Sequence, residues 1–408
     1  MDHSAEAARE LVVSYCFPPY SDTAAIVAGK RVRVAGEQVD VIHNAMDRLR
    51  RRDEGLLALT DGLVQRRHAV PSSTWFKGWA SIRDFCELGL QTALEWDRSA
   101  GGYERMYSRA HFAASHFLAA RLALLRPQLT WTAEFSDPLS LYVTGEVRSS
   151  PTRDDPLLGH LRAGLQAAGF QAPESGNALE WSEVLAFALA DRLIFTNEHQ
   201  RSAMLERVEP ALADRVMARS TIAPHPTLGP EFYAMANPTY ELDPARRHIA
   251  YFGNFYATRG LDVVLDALAS LPQALRDRLC LHVFTSDPKK AEGPVRDRGL
   301  DDVVRLSPFV DYLDFLALTT RFDCLLVNDA DTRDSAFARN PFLPSKWSDY
   351  AGSGTPVWGI LEDGSALSGM DMAYTSPVQH RTAAVQVLAR IAASEARPAP
   401  RSPENRGV

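Results

Sequence analysis

Short apolar runs recur along the chain, each closed by Gly, Pro or polar residues, and segments with apolar residues at helical spacing stand between them. Residues 11–17 read Leu-Val-Val-Ser-Tyr-Cys-Phe and stop at Pro18-Pro19, the pattern of a strand buried on both faces that ends at a loop. Ser21 or Asp22 then predicts the start of a helix through about residue 35, because a short acceptor side chain there can hold the unpaired N–H groups of a first turn. Gly36 ends that helix. Residues 39–42 predict the next strand, and strand, helix, strand is the opening of a doubly wound parallel sheet. Residues 103–107 and 129–135 predict two more strands around a helical segment at 111–125. A helix at 181–190 feeds a strand at 192–196, and Asn197 is placed to cap the helix that follows. Residues 151–177, rich in Pro, Gly, Ala and charge, predict a loop with one short helix.

A second start follows at His248-Ile-Ala-Tyr-Phe-Gly253, again an apolar strand closing on Gly. Leu261, Val264, Leu265, Leu268 and Leu271 stand at helical spacing, and Pro272 ends that helix. Residues 281–285, 303–306, 324–327 and 357–360 predict further strands, and 383–393 a last helix. The pattern predicts a Rossmann-like domain over 1–235 and a second over 246–393, with Asn237-Pro238 and Asp243-Pro244 marking irregular chain between them. The last helix is a candidate to pack back on the first domain. Residues 394–408, with three Pro and no aromatic, are expected to be disordered. Two such domains facing each other would leave a cleft at their strand C-termini, where these sheets bind ligands.

Composition narrows the function classes. The chain has 408 residues, 44 Lys and Arg against 51 Asp and Glu, and a net charge of −7, which argues against a protein that lives on nucleic acid. Cys16, Cys86, Cys280 and Cys324 form no C-x-x-C pair, so neither a zinc site nor a disulfide framework is expected and a reducing cytoplasm is the simplest compartment. No run reaches the roughly 18 apolar residues of a membrane-spanning helix, and the first ten residues lack the apolar core of a signal segment.

Two segments carry candidate chemistry. Gly253-Asn254-Phe255-Tyr256-Ala257-Thr258-Arg259-Gly260 joins a strand to a helix. Its glycines allow close backbone approach, the helix start offers N–H groups, and Arg259 adds a cation, which suits a diphosphate. The spacing is neither G-x-G-x-x-G nor G-x-x-x-x-G-K-[ST], which disfavours a dinucleotide site or a P-loop. The second segment runs from Pro344-Ser345-Lys346 through Asp349 to Gly354-Thr355-Pro356-Val357. The helix start after Pro344-Ser345 presents N–H groups and the Ser345 hydroxyl, Lys346 in the first turn reaches a phosphate, and Asp349 one turn on suits a ribose diol. Each segment alone also reads as ordinary turn and cap chemistry.

Together the residues resemble the family 4 retaining glycosyltransferases of the GT-B fold, over about residues 11–393. The resemblance rests on Tyr251-Phe-Gly-Asn-Phe with Arg259-Gly260-Leu261-Asp262, and on Pro344-Ser345-Lys346, Asp349-Tyr350-Ala351 and Gly354-Thr355-Pro356-Val357. Ala190-Asp191-Arg192, Thr196-Asn197 and Ile222-Ala-Pro-His225 match the segments that close that family's first domain. It implies a metal-independent, retaining sugar transfer from a nucleotide diphosphate sugar to a saccharide or lipid-linked acceptor in bacterial polysaccharide or glycoconjugate synthesis, with no further cofactor. By the resemblance, Gly253, Asn254 and Arg259 would line the donor diphosphate, Pro344, Ser345 and Lys346 its distal part, and Asp349 the ribose. Arg259 and Lys346 would stabilise the leaving group. The chain departs from the family at Asn254, where Arg is usual, and at Pro341, where the first of two acidic residues is usual. Asp137, in an acidic version of the loop after residues 131–135, is the candidate to orient or deprotonate the acceptor, with Ser136, Asp22 and Thr23 as acceptor contacts.

Three other readings stand beside this one. A catalytically degenerate GT-B scaffold would explain Asn254 and Pro341. Asp329-Ala330-Asp331 after a strand is how metal-dependent GT-A transferases hold a divalent ion, although little chain follows it. Trp75, Trp79, Ile82 and Cys86 on one helical face, with Phe76, Phe85, Lys77 and Arg83 beside them and Arg-Leu-Arg-Arg-Arg at 48–52, would suit peripheral membrane contact, or a helix packing on its own core. His43, His111, His116, His225 and His282 show no metal-ligand spacing and read as structural, His225 as a hinge residue. Oligomeric state, donor base and acceptor are not legible.

Overall fold

The predicted strands fall in two parallel sheets. The computed structural model describes residues 8–73, 78–99, 101–255 and 258–395. The chain divides into two units, one of residues 1–226 with 336–341 and one of residues 227–335 with 342–408.

In the first unit the strands are β1 (Glu10–Val13), β2 (Val39–Asn44), β3 (Val64–Val70), β4 (Arg105–Ala110), β5 (Thr130–Phe135), β6 (Arg192–Phe195) and β7 (Ser220–Ile222), in the order β3-β2-β1-β4-β5-β6-β7. All pair in parallel. The reversal of order on either side of β1 marks a doubly wound sheet. β1 stops at Val13, and residues 14–17 continue as buried chain outside the strand. The helix Thr23–Ala35 begins as the sequence predicts: Asp22 accepts from the Ala24 N–H at 2.7 Å, and Gly36 closes it in the left-handed region. The strands β3 and β7, at the two sheet edges, escape the pattern because edge strands are shorter or more polar than central ones. The loop of 151–177 holds a full 12-residue helix, Pro156–Ala167, capped by Asp155.

In the second unit the strands are β8 (Arg247–Phe252), β9 (Leu279–Thr285), β10 (Val304–Pro308), β11 (Cys324–Asn328), β12 (Val357–Leu361) and β13 (Tyr374–Pro377), in the order β10-β9-β8-β11-β12-β13. Its core joins Ile249, Leu281, Val283, Leu326 and Trp358 of the sheet to Val264 and Leu268 of the helix Asp262–Ser270. The last helix, Arg381–Ala393, belongs to that core through Ala384, Val387, Leu388 and Ile391, so its apolar face is spent within the second unit. The unit begins at Thr227, upstream of the predicted irregular stretch. The reason is local: the Tyr233 hydroxyl donates to the Asp349 carbonyl at 2.6 Å, tying the short helix Pro230–Tyr233 to the helix Lys346–Ser353.

The short segment 336–341 folds with the first unit although its flanks do not. The Ala336 N–H donates to Thr144 O at 3.2 Å, and Asn197 Nδ2 donates to Pro341 O at 3.0 Å. Gly145 makes room for it: its φ is +83°, and a Cβ there would stand 2.7 Å from that of Ala336.

The aromatic face considered for membrane contact is core. Trp79, Ile82, Phe85 and Cys86 on the helix Trp79–Ser99 are all buried in the first unit's apolar cluster. In the basic stretch, Arg50 bonds Asp22, and Arg52 pairs with Glu54 and Asp47. Trp75, Phe76 and Lys77 lie outside the described residues. Among the described residues no helix is long and apolar enough to cross a membrane.

Candidate active site

In the second unit the strand ends set the site. Gly253 follows β8 directly, its N–H donating to Phe284 O at 2.9 Å; a Cβ on it would meet the Tyr251 hydroxyl at 2.6 Å, so the chain needs glycine there. The loop's far side is tied to the end of β11, where Asn328 Nδ2 donates to Gly260 O at 3.1 Å and the Asp331 N–H to Thr258 O at 2.7 Å. Arg259 between these anchors is half-buried, and its Nε is buried without a hydrogen-bond partner. A guanidinium whose donors are not all taken inside the protein is suited to an anion.

Lys346 opens the helix Lys346–Ser353, and Gly354 closes it in the left-handed conformation. The Lys346 Nζ stands 4.5 Å from the centre of the Phe315 ring, a cation–π contact. Phe315 in turn packs edge-on against Phe252, centroids 4.8 Å apart, and Phe252 is the residue before Gly253. The Phe252 N–H donates to the Tyr350 hydroxyl at 3.3 Å. These contacts bring the lysine helix and the glycine loop to one end of the sheet, its strand C-termini. Ser345 precedes the helix in helical conformation without capping it through its side chain, and Pro344 O accepts from the Trp347 N–H at 3.1 Å. A cavity of about 220 Å³ beside the loop is lined by Asn254, Gly260, Ser286 and Lys290 among others. Lys290 had no signal in the sequence, because its nearness to the loop depends on the β8–β9 pairing.

Two predicted donor residues are engaged within the protein. Asn254 Oδ1 accepts from Ser286 Oγ at 2.7 Å, Ser286 N at 3.0 Å and Thr285 Oγ1 at 3.2 Å, so it fastens the end of β9. Asp349 is 3% exposed, and the Tyr312 hydroxyl donates to its Oδ1 at 2.7 Å.

Asp329 and Asp331 do not make a cation pair. Asp329 is buried, with Oδ2 accepting from Ser365 Oγ at 2.7 Å and Glu362 N at 3.0 Å, while Asp331 lies 2.8 Å from Arg333. Burial lifts Asp329 to a pKa of about 6, although Ser365, the Glu362 N–H and the charge of Arg259 pull the other way.

In the first unit, Asp137 and Ser136 follow β5, and His111 follows β4, the strand paired with it. His111 Nδ1 lies 3.4 Å from Ser136 Oγ and 4.0 Å from Asp137 Oδ2, with the imidazole and the Asp137 carboxylate each only partly exposed. Desolvation, Arg109 and Arg148 lower the histidine pKa against the attraction of Asp22 and Asp137. His111 therefore belongs to the polar cluster rather than to the framework. The signal for it was its place directly after an apolar strand. Asp22 reaches this cluster electrostatically, yet it is also the cap of its own helix and accepts from Arg50 Nε at 2.6 Å. Burial works against its ionisation, but His111, Arg50 and the Ala24 N–H hold the carboxyl below the ordinary aspartate value. Thr23 is exposed in the first helical turn. His225 is buried, with Nδ1 unpartnered, and its pKa is pushed down by burial, then by Arg109, Lys30 and Arg31.

Comparison with solved structures bears on this arrangement. Anabaena HepE, solved with UDP and glucose, superposes with a TM-score of 0.58 at 13% identity over 94% of this chain and 92% of that one. A glycosyltransferase from Rickettsia africae gives 0.55 at 9% identity, covering 95% and 88%. WaaG, a glycosyltransferase involved in lipopolysaccharide biosynthesis, gives 0.51 at 16% identity, covering 94% and 93%. The fold is GT-B. No family model and no curated sequence matches the chain. Two doubly wound parallel sheets, covered over nearly their whole length by these structures, leave the D-x-D reading without the GT-A frame it requires. In this GT-B chain the strand C-termini of the second unit carry Arg259 and Lys346, and those of the first carry His111 and Asp137.

Proposed function

We propose that the protein is a glycosyltransferase that moves a sugar from a nucleotide diphosphate sugar to a saccharide or lipid-linked acceptor. The observation that carries the reading is the placement of Arg259 and the Lys346 helix start at one end of the second sheet, linked by Phe315 and Phe252. Departure of a nucleoside diphosphate builds negative charge on its phosphates. Fixed cations and helix N–H groups aimed at that charge lower the barrier and need no reorganisation during the step. HepE was solved with UDP-glucose, which favours a uridine donor here. Retention of configuration, independence from metal and a role in surface polysaccharide synthesis belong to the same proposal.

On the acceptor side, His111 takes the part of general base, with Asp137 beside it. An imidazole whose pKa is lowered is neutral at pH 7 and able to accept a hydroxyl proton. Asp137 then favours the imidazolium as it forms.

Thermal shift with UDP, GDP, ADP and TDP tests the donor reading. A rise with one of them, reduced in Lys346→Ala and Arg259→Ala together with at least a tenfold loss of donor hydrolysis, is the expected outcome. No shift with any nucleotide favours instead a GT-B scaffold without activity, the reading to which the engaged Asn254 and the Pro341 carbonyl bound by Asn197 point.

A further inference from the structure

β8 and β9 lie side by side in parallel, with His248 opposite Cys280 and Ala250 opposite His282. Cross-strand partners share a face, and so do residues two apart on one strand. His248, Cys280 and His282 therefore project from one face of the second sheet, where they are 4%, 2% and 0% exposed. One ligand-type atom from each lies within 4.8 Å of the others, and His248 Nδ1 is 2.8 Å from His282 Nε2.

The outer nitrogens are both held. His248 Nε2 lies 2.8 Å from the Asp243 carbonyl oxygen. A carbonyl only accepts, so Nε2 carries the proton and Nδ1 turns a lone pair toward His282. His282 Nδ1 lies 2.7 Å from the Tyr240 hydroxyl, which can donate or accept. With the hydroxyl donating, a proton on His282 Nε2 bridges the two rings. With it accepting, both inner nitrogens turn lone pairs toward each other, an arrangement that a bound cation relieves; a Zn²⁺ at about 2.0–2.1 Å from each nitrogen parts the rings slightly from their 2.8 Å separation. Metal-bound imidazoles are oriented in this way, their second N–H given to a carbonyl or another oxygen. Cys280 supplies the third donor, next to the rings.

We propose that His248, Cys280 and His282 bind one thiophilic d10 cation, Zn²⁺ foremost. Two imidazoles and a thiolate are a borderline-soft set, unlike the oxygen ligands of Mg²⁺ or Mn²⁺, so this site is separate from sugar-transfer chemistry. On binding, the thiol proton leaves to solvent, and the proton on His282 Nε2 is replaced by one on Nδ1, where the Tyr240 oxygen accepts it. The metal would fasten the segment carrying Tyr240 and Asp243 onto β8 and β9, which adds its binding free energy to the stability of the second unit. The sequence showed no metal-ligand spacing here; the β8–β9 register brings the three residues together.

Co²⁺ titration of the full chain after chelator treatment tests the site, with metal content after chelator-free purification measured beside it. The expected result is one equivalent of Co²⁺, with a thiolate-to-cobalt charge-transfer band in the near ultraviolet that Zn²⁺ bleaches. The band disappears in Cys280→Ser and Cys280→Ala and weakens in His248→Gln, and Zn²⁺ raises the thermal midpoint of the wild type only. A wild-type chain with no charge-transfer band and no stoichiometric metal overturns the proposal. So does a band of full strength in the Cys280→Ala variant, since the thiolate would then come from elsewhere. The wild-type titration decides even if a variant fails to fold, and nucleotide thermal shifts, which read the donor site, do not enter the outcome.

Discussion

Glu183 is a carboxylate that the fold keeps from water, 5% exposed, with Ser140 N and Oγ donating to its two oxygens at 2.9 and 2.7 Å. Burial outweighs those bonds and lifts its pKa to about 7. A group whose folded pKa exceeds its unfolded value binds its proton more tightly in the folded state. Its contribution to stability is therefore fully present below about pH 4.5 and is lost as pH rises to about 7, by on the order of 2–3 kcal/mol. In Glu183→Gln that dependence should vanish, so the thermal midpoint of the variant, followed from pH 4.5 to 8, should flatten relative to the wild type. A parallel pair of curves would count against the assignment. His111→Gln belongs to the same scale: transfer should fall by about 10²-fold in kcat, with the UDP thermal shift unchanged. At residue level the sequence showed the Asp22 cap, the Gly36 and Gly354 stops, and the cationic character of Arg259 and Lys346, because those roles depend on neighbours in the chain. The burial of Asp349 and Asp329, and the polar cluster around His111, depend on other strands and were not legible.

Elements carry the next level of constraint. The helix Lys346–Ser353 is held by close approach at Gly352, where a Cβ would collide with the Tyr233 hydroxyl and stand 2.8 Å from Thr227 Cγ2. Gly352→Ala should force Tyr233 from its bond to Asp349 O, costing about 1–3 kcal/mol. Chemical denaturation should show that loss, and UDP affinity should fall with it because Lys346 starts the same helix; unaltered stability would mean that Tyr233 moves aside without cost. The aromatic helix Trp79–Ser99 illustrates what periodicity leaves open. An apolar stripe with flanking cations fits a lipid interface and a protein core equally well, and only the packing of Trp79 against Phe117, centroids 5.5 Å apart, chooses the core.

Across the whole chain, the two units have separate sheets and separate apolar cores. Binding of a nucleotide to the native state should raise protection from hydrogen exchange most strongly at residues 253–260 and 344–350. Exchange measured with and without UDP checks this; protection confined to the first unit would relocate the donor. The doubly wound class was legible from sequence because apolar strands alternate with helices at a local period, and each stop is written in Gly, Pro or a capping side chain. The edge strands β3, β7 and β13 were not, since their residues are only partly buried. Order and register are long-range. The sequence alone determined the two α/β halves and the cationic segments at 253–260 and 344–349. Tertiary structure alone decided that the segment 336–341 folds with the first unit, that the D-x-D carboxylates part company, and that His248 meets Cys280 and His282. Those outcomes follow from strand pairing and from desolvation, neither of which a neighbouring residue can report.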